Sequence, residues 1–152
     1  ALLVGRALRD ILTLLVQSLI LILLSIPLGL QPTLQGVVVV LALVALIGLG
    51  MSSLAYTAAL ALRDENSYAP LVFTLSLPLL LLSGVLLPLQ LAPDWLQHVA
   101  QVNPLSYAVT AARDVFNGQG SSPDVVKGIA VMAALAIFGI TVGARAFNRA
   151  VA

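Results

Sequence analysis

Long apolar segments without a single charged residue dominate this sequence. Residues 11–30 are 20 uncharged residues, about 30 Å as an α-helix, which matches the hydrocarbon core of a bilayer. Residues 37–62 form a second segment that is long enough to cross with some tilt. Two further apolar segments follow, and Pro78 interrupts the first of them. The sequence therefore predicts an all-α integral membrane protein, a single transmembrane domain over residues 1–152 with four spans at about 11–30, 37–62, 70–87 and 125–144.

The composition excludes several other classes of protein. With 61% hydrophobic and 9% charged residues, the chain is far from a soluble domain, in which about a quarter of the residues are charged. A net charge of +1 and the lack of any Lys/Arg cluster argue against a nucleic-acid partner. The chain has no cysteine, and its one histidine, His98, cannot form a zinc site alone. We therefore expect no metal, cofactor-binding or catalytic residue on this chain.

The segment between the third and fourth spans is too long for a simple turn. Trp95 and Leu96 lie on the apolar side of a helical repeat over 94–102, whose other side is polar. This spacing predicts a short interfacial helix with its tryptophan at the headgroup boundary. Asn103 can cap a second short helix over 104–116, which begins with a proline that has no N–H to satisfy.

The basic residues divide unevenly between the two sides that four spans create. Positive residues favour the cytoplasmic side of a membrane. One side holds Arg6, Arg9, Arg63, Arg145 and Arg149, and the other holds Arg113 and Lys127. We therefore expect a multi-pass protein of the cell (plasma) membrane with both ends in the cytoplasm and the tryptophan region outside.

Several short motifs follow one another in a defined order between the last two spans. They comprise Ser83, Gly84, Pro88, Pro93, Trp95, Leu96, Asn103, Pro104, Leu105, Tyr107 and Arg113. In order and spacing, this set closely resembles the signature of the type-2 ATP-binding-cassette exporter permeases, which export drugs, lipids and polysaccharides. The resemblance implies that these residues form helices that dip back into the outer side of the membrane. There they would close the outer end of the substrate path.

The resemblance also implies partners. No G-x-x-x-x-G-K-[ST] phosphate loop occurs, so ATP and Mg²⁺ are expected on a separate ATPase subunit. A second permease copy, identical or related, would complete the transporter. The charges of Arg63, Asp64 and Glu65 can pair with the ATPase subunit, and a solvated loop is the alternative. The four spans would correspond to the third to sixth of the family, so its first two spans and main coupling helix have no counterpart here.

The function indicated is export of amphiphilic drugs or lipid-like molecules by alternating access. Thr13, Gln17 and Tyr56 are candidates for lining the path, and hydrogen bonding between helices is the alternative. The spans lack the carboxylates that proton-coupled carriers commonly use and are poor in the aromatic faces that hold sugars. The alternatives are a polysaccharide exporter permease, a non-transporting membrane scaffold or assembly subunit, and an ATP-independent carrier.

Overall fold

The chain folds into α-helices joined by turns and short irregular segments. The computed structural model describes the backbone of residues 2–62, 65–85 and 91–151, and the side chains of 5–61, 68–85 and 91–146. In these parts the helices are α1 (Leu2–Ser25), α2 (Leu34–Leu62), α3 (Glu65–Leu81), α4 (Asp94–Val102), α5 (Pro104–Phe116) and α6 (Pro123–Val151). The all-α class predicted from the sequence is confirmed.

Three helices of the described residues are long and apolar enough to cross a membrane. They are Gly5–Ser25 within α1, Leu34–Ala61 within α2 and Pro123–Ala146 within α6. The sequence predicted a further span over 70–87, but α3 begins earlier and ends earlier, and its apolar part is only Tyr68–Leu81. At 1.5 Å per residue this part is about 20 Å long, less than the ~30 Å hydrocarbon core. The prediction of four continuous spanning helices is therefore not met at α3.

Helices α2 and α6 run parallel and in close contact along their length. A Cβ atom on Gly139 would lie 2.6 Å from the carbonyl oxygen of Gly50, and one on Gly143 would lie 3.5 Å from that of Ser53. Both contacts advance in the same direction along the two helices. Glycine at 139 therefore lets the two backbones approach closely, as small residues do between membrane helices.

Helix α1 packs against α2 in the opposite direction. Gly48 of α2 lies against Ile11 and Leu14 of α1, while Asp10 reaches Tyr56, nearer the end of α2. Among the described elements α1 makes its main contacts with α2 alone, so its outward face remains covered with exposed apolar side chains. Such a surface is typical of a helix in contact with lipid or with another subunit.

Helix α5 lies in the core rather than at the surface of the bundle. Its residues Ala108, Ala111 and Val115 are buried in one cluster with Leu43 of α2 and Met132 of α6. The helix has the bounds that the sequence indicated. Small side chains on one face let α5 fit between two long helices, and helical periodicity alone does not reveal what covers that face.

The return from the end of α2 to the start of α6 is made in two helical pieces. Because α2 and α6 are parallel, the chain must travel back along the bundle between them. Helix α3 starts beside the end of α2, and its last residues share an apolar pocket with Val44 and Ile47, halfway along α2. Helix α5 continues to the other end, where Val115 meets Gly36. The place where the end of α3 meets α5 is therefore a central feature of the fold. We call it the joint; it comprises Leu79, Ser83 and Gly84 on one side and Asn103 and Arg113 on the other.

Candidate functional site

Asn103 is the centre of the joint. Asn103 is only 5% exposed, and its side chain forms hydrogen bonds to two helices. The Oδ1 atom accepts a hydrogen bond of 3.0 Å from the backbone N–H of Leu105, which caps α5 as predicted from the sequence. The Nδ2 atom donates a 2.7 Å hydrogen bond to the carbonyl oxygen of Leu79 in the last turn of α3. That carbonyl is one of four that a helix leaves without internal partners at its C-terminus.

The turn between α4 and α5 is held by Ser106, which the sequence-based site did not include. Its hydroxyl lies 2.9 Å from the carbonyl oxygen of Ala100 and 2.8 Å from that of Asn103. The backbone N–H of Asn103 also donates to the carbonyl of Ala100. These bonds fix the turn that joins α4 to α5. A small hydroxyl residue three positions after the capping asparagine is the sequence signal for this contact.

Arg113 forms the second bond of the joint. Its Nη2 atom donates a 2.6 Å hydrogen bond to the carbonyl oxygen of Gly84, 29 residues earlier in the chain. Gly84 has φ = 79°, a left-handed conformation that glycine adopts without a Cβ clash. The buried Ser83 lies beside it, and its hydroxyl donates to the carbonyl of Leu80 at 2.6 Å. A charged residue in a mostly apolar helix requires a polar partner, and this backbone carbonyl supplies one.

An apolar pocket of about 250 Å³ lies directly behind these bonds. It is enclosed by α2, the end of α3 and one face of α5, with Ser83 and Leu105 among its lining residues. The joint therefore combines a few hydrogen bonds with an adjacent apolar pocket.

Helix α4 stands between an apolar groove and a polar pocket. Trp95, with 67% exposure, and Leu96 face a groove of about 480 Å³ toward the end of α3. The opposite side of α4 faces a pocket of about 260 Å³ that includes Tyr107, whose hydroxyl donates to the carbonyl of Gln101 at 3.0 Å. Pro93 is the residue immediately before the helix. Pro88, also predicted for the cap, lies outside the described residues.

The three candidate path residues separate into two environments. Tyr56 donates a 2.5 Å hydrogen bond to Oδ2 of Asp10, with the Arg6 guanidinium 6.0 Å from its ring centroid. Thr13 and Gln17 are exposed on the outward face of α1, and the Thr13 hydroxyl bonds its own helix at the carbonyl of Arg9.

The sequence reasoning missed Asp10 because the predicted first span began after it. Helix α1 begins at Leu2, and its apolar candidate span, Gly5–Ser25, contains this carboxylate. Asp10 lies five residues after the start of that candidate span, directly after Arg9. The sequence does contain both partners, a tyrosine on α2 and an acidic residue near the start of α1. Only the way in which the two helices pack shows that these residues form a pair.

Two other expectations concern parts with little or no description. Arg63 and Asp64 lie outside the described residues, and of Glu65 only the backbone, at the start of α3, is described. The role of this loop in contacting an ATPase subunit therefore remains a prediction. Among the described residues, no group of three or more His, Cys, Asp or Glu side chains is arranged to hold a metal ion.

Comparison with known proteins identifies the family. Residues 1–117 match the family described as ABC-2 type transporter. Two similar proteins are the ycf38 proteins of Porphyra purpurea and Cyanophora paradoxa, which are named as transport permeases and are each 30% identical over about two thirds of this chain (68% and 67%). The chain spans 36% of the length of each of these relatives. No solved structure matches.

The chain belongs to the ABC-2 type transporter family. It is a part of a multi-pass membrane permease, and the resemblance seen in the motifs is confirmed. The bonds of Asn103 and Arg113 join α5 to the carbonyl oxygen of Leu79 in α3 and to that of Gly84, which follows α3.

Proposed function

We propose that this chain is the C-terminal part of the permease of an ATP-binding-cassette exporter. The permease moves amphiphilic drugs or lipid-like molecules out of the cytoplasm by alternating access. A separate ATPase subunit binds ATP and Mg²⁺, and a second permease copy completes the path. Both ends of the chain are cytoplasmic.

The proposal includes a fourth crossing that is broken at its middle. Parallel α2 and α6 require one return crossing, and α3 followed by α5 provides it in two pieces. A broken helix exposes backbone polar groups, which are tolerated at membrane depth where protein groups satisfy them. Asn103 and Arg113 satisfy two such carbonyls, those of Leu79 and Gly84.

The joint between α3 and α5 is the observation that carries the transport mechanism. It contains two long-range side-chain hydrogen bonds next to an apolar pocket. Release of both bonds frees α5 from the end of α3 and the residues just after it without unfolding a helix. This gives the outer end of the path a gate whose two positions differ by about two hydrogen bonds, a few kcal/mol at most.

The test uses the full-length permease, co-expressed with its ATPase subunit and reconstituted in lipid vesicles. Co-purification, ATP turnover and efflux of a fluorescent amphiphile are measured for the parent, Arg113→Gln and Arg63→Ala. We expect Arg113→Gln to bind the subunit normally but to lose efflux at least about tenfold relative to ATP turnover. Arg63→Ala is expected to weaken subunit association instead.

A matched control is Lys127→Gln, which removes a cation outside the joint and should leave efflux unchanged. If no ATPase subunit associates with the full-length permease, the exporter proposal fails and a scaffold role replaces it. If the subunit associates but Arg113→Gln exports normally, the exporter stands and the gate does not.

A further inference from the structure

A charged cluster at the α1 end of the bundle has a role that the transport proposal does not use. Arg6, Arg9 and Asp10 lie within one and a half turns of α1, opposite Tyr56 of α2. Both arginines are exposed. The Asp10 carboxylate accepts the hydroxyl of Tyr56, and Arg6 stands over the tyrosine ring rather than beside the carboxylate.

The arrangement leaves two guanidinium groups available for an anionic ligand. Among the described side chains, the one ion pair with an N–O distance of 4.0 Å or less is that of Lys127 and Asp124, at the other end of the bundle. The cluster carries two positive charges against one negative charge, and that carboxylate is already bonded to a hydroxyl. A guanidinium has several N–H donors in a planar fork that fits the oxygens of a phosphate.

An apolar groove of about 370 Å³ begins two turns further along the same helix. Its lining residues are Leu15, Val16, Leu19, Leu41 and Ala45, from α1 and α2. Val16 follows Arg9 by seven residues, so both lie on one stripe of the helix about 10 Å apart. A chain attached to a phosphate at Arg9 would enter the groove at Val16.

We propose that Arg6, Arg9 and this groove form a binding site for one anionic phospholipid. The phosphate binds the two guanidinium groups, and one acyl chain lies in the groove between α1 and α2. The bond between Tyr56 and Asp10 positions the cluster by fixing α1 against α2. Charge complementarity and an apolar groove at acyl-chain depth together select a lipid, because a soluble anion would use only the arginines.

The site requires only that α1 and α2 lie in a membrane, so it is independent of ATP-driven export. Its test uses the full-length permease in nanodiscs, with every native tryptophan, Trp95 among them, replaced by phenylalanine as the spectroscopic background. Val16→Trp places a fluorophore at the mouth of the groove, at an exposed position. Quenching is measured with brominated phosphatidylglycerol and with brominated phosphatidylcholine of the same chains.

We expect phosphatidylglycerol to quench at a lower mole fraction than phosphatidylcholine, with a preference of at least about fivefold. That factor corresponds to ~1 kcal/mol for one basic side chain near an anionic surface. Arg6→Gln combined with Arg9→Gln should reduce the preference to about one. The preference should also fall at high salt, since exposed charges are screened.

Two controls keep the test specific. Lys127→Gln, at the other end of the bundle, should leave the preference intact. Leu24→Trp, at an exposed position on α1 about 22 Å along the helix from Arg9, should report no preference because no arginine lies near it on that helix. Equal quenching by both lipids, or a preference that survives loss of both arginines, overturns the proposal. Native mass spectrometry of the unsubstituted protein, with phosphatidylglycerol retained over phosphatidylcholine, provides a second readout.

Discussion

At the scale of single residues, the fold depends on side chains that serve two backbone segments. Asn103 is the main example, since its amide oxygen caps α5 and its amide nitrogen bonds α3. Asparagine is suited to this position because it carries an acceptor and two donors on one short side chain. A sequence reveals the cap through the proline that follows. It does not reveal the second partner, which is a backbone carbonyl 24 residues away.

Replacement of Asn103 separates its two roles. Asn103→Ser keeps a capping oxygen but cannot reach Leu79, whereas Asn103→Ala loses both bonds. We expect Asn103→Ser to lower the free energy of unfolding by about 1–2 kcal/mol and Asn103→Ala by about 1 kcal/mol more. Unfolding by denaturant in detergent micelles measures both. Equal stability of the serine variant and the parent would mean that the bond to α3 contributes nothing.

The bond between Tyr56 and Asp10 is expected to stabilise the α1–α2 pair. Tyr56→Phe removes the hydroxyl and leaves a carboxylate without its donor, at a cost of about 1.5–3 kcal/mol for a bond to a charged group. Tyr107→Phe is the matched control, because its hydroxyl bonds a neutral carbonyl in an exposed setting and its loss should cost less. Thermal unfolding of the two variants provides the comparison. A larger loss for Tyr107→Phe would contradict this assignment.

At the scale of elements, the bounds of most helices could be predicted from the sequence, whereas the packing of one helix against another could not. The capping sequence of Asn103 and Pro104 marks a helix start that the structure contains. The third span was predicted from about residue 70, whereas α3 begins at Glu65 and holds Pro70 in its interior. The α2–α6 contact was also missed, although Gly139 and Gly143 form a G-x-x-x-G pair. That motif shows that a close approach exists but not which helix makes it.

The α2–α6 contact gives a matched pair of glycine substitutions. Gly139→Ala would place a Cβ 2.6 Å from the carbonyl oxygen of Gly50, whereas Gly5→Ala on α1 meets nothing within 4 Å. We expect Gly139→Ala to destabilise the protein by about 1–3 kcal/mol through overpacking. Gly5→Ala should be neutral or stabilising by up to about 1 kcal/mol through helix propensity. Unfolding midpoints test the pair, and equal effects would rule out tight packing at Gly139.

At the scale of the whole molecule, the parallel course of α2 and α6 is the decisive property. It places the turn before α2 and the turn before α6 at one end of the bundle, where Gln35 lies against Gly120. It also requires the segment between them to return along the bundle. The short α3 can meet this requirement only together with α5. Breaking the return crossing creates the joint that the transport proposal uses.

Cysteine labelling tests this topology directly, because the 152 residues contain no cysteine. Single cysteines at Gln31 and Gln119 should react with a membrane-impermeant maleimide from the same side of intact cells. A cysteine at Arg145 should react only after permeabilisation. All three positions are exposed. Labelling of the first two from opposite sides would contradict the parallel arrangement, and labelling of all three from outside would contradict the crossing.

The sequence by itself determined the solvent and the helical class of this protein. Runs of uncharged apolar residues are stable only in a bilayer, and there the backbone must satisfy its own hydrogen bonds, which makes the chain helical. Local chemistry at Asn103 and Pro104 also determined where α5 begins. Only the tertiary structure decided that α5 is buried between α2 and α6, that α3 ends halfway along the bundle, and that Asp10 meets Tyr56. These features depend on contacts between residues 20 or more positions apart, and apolar periodicity gives the same signal for a face against lipid as for a face against another helix.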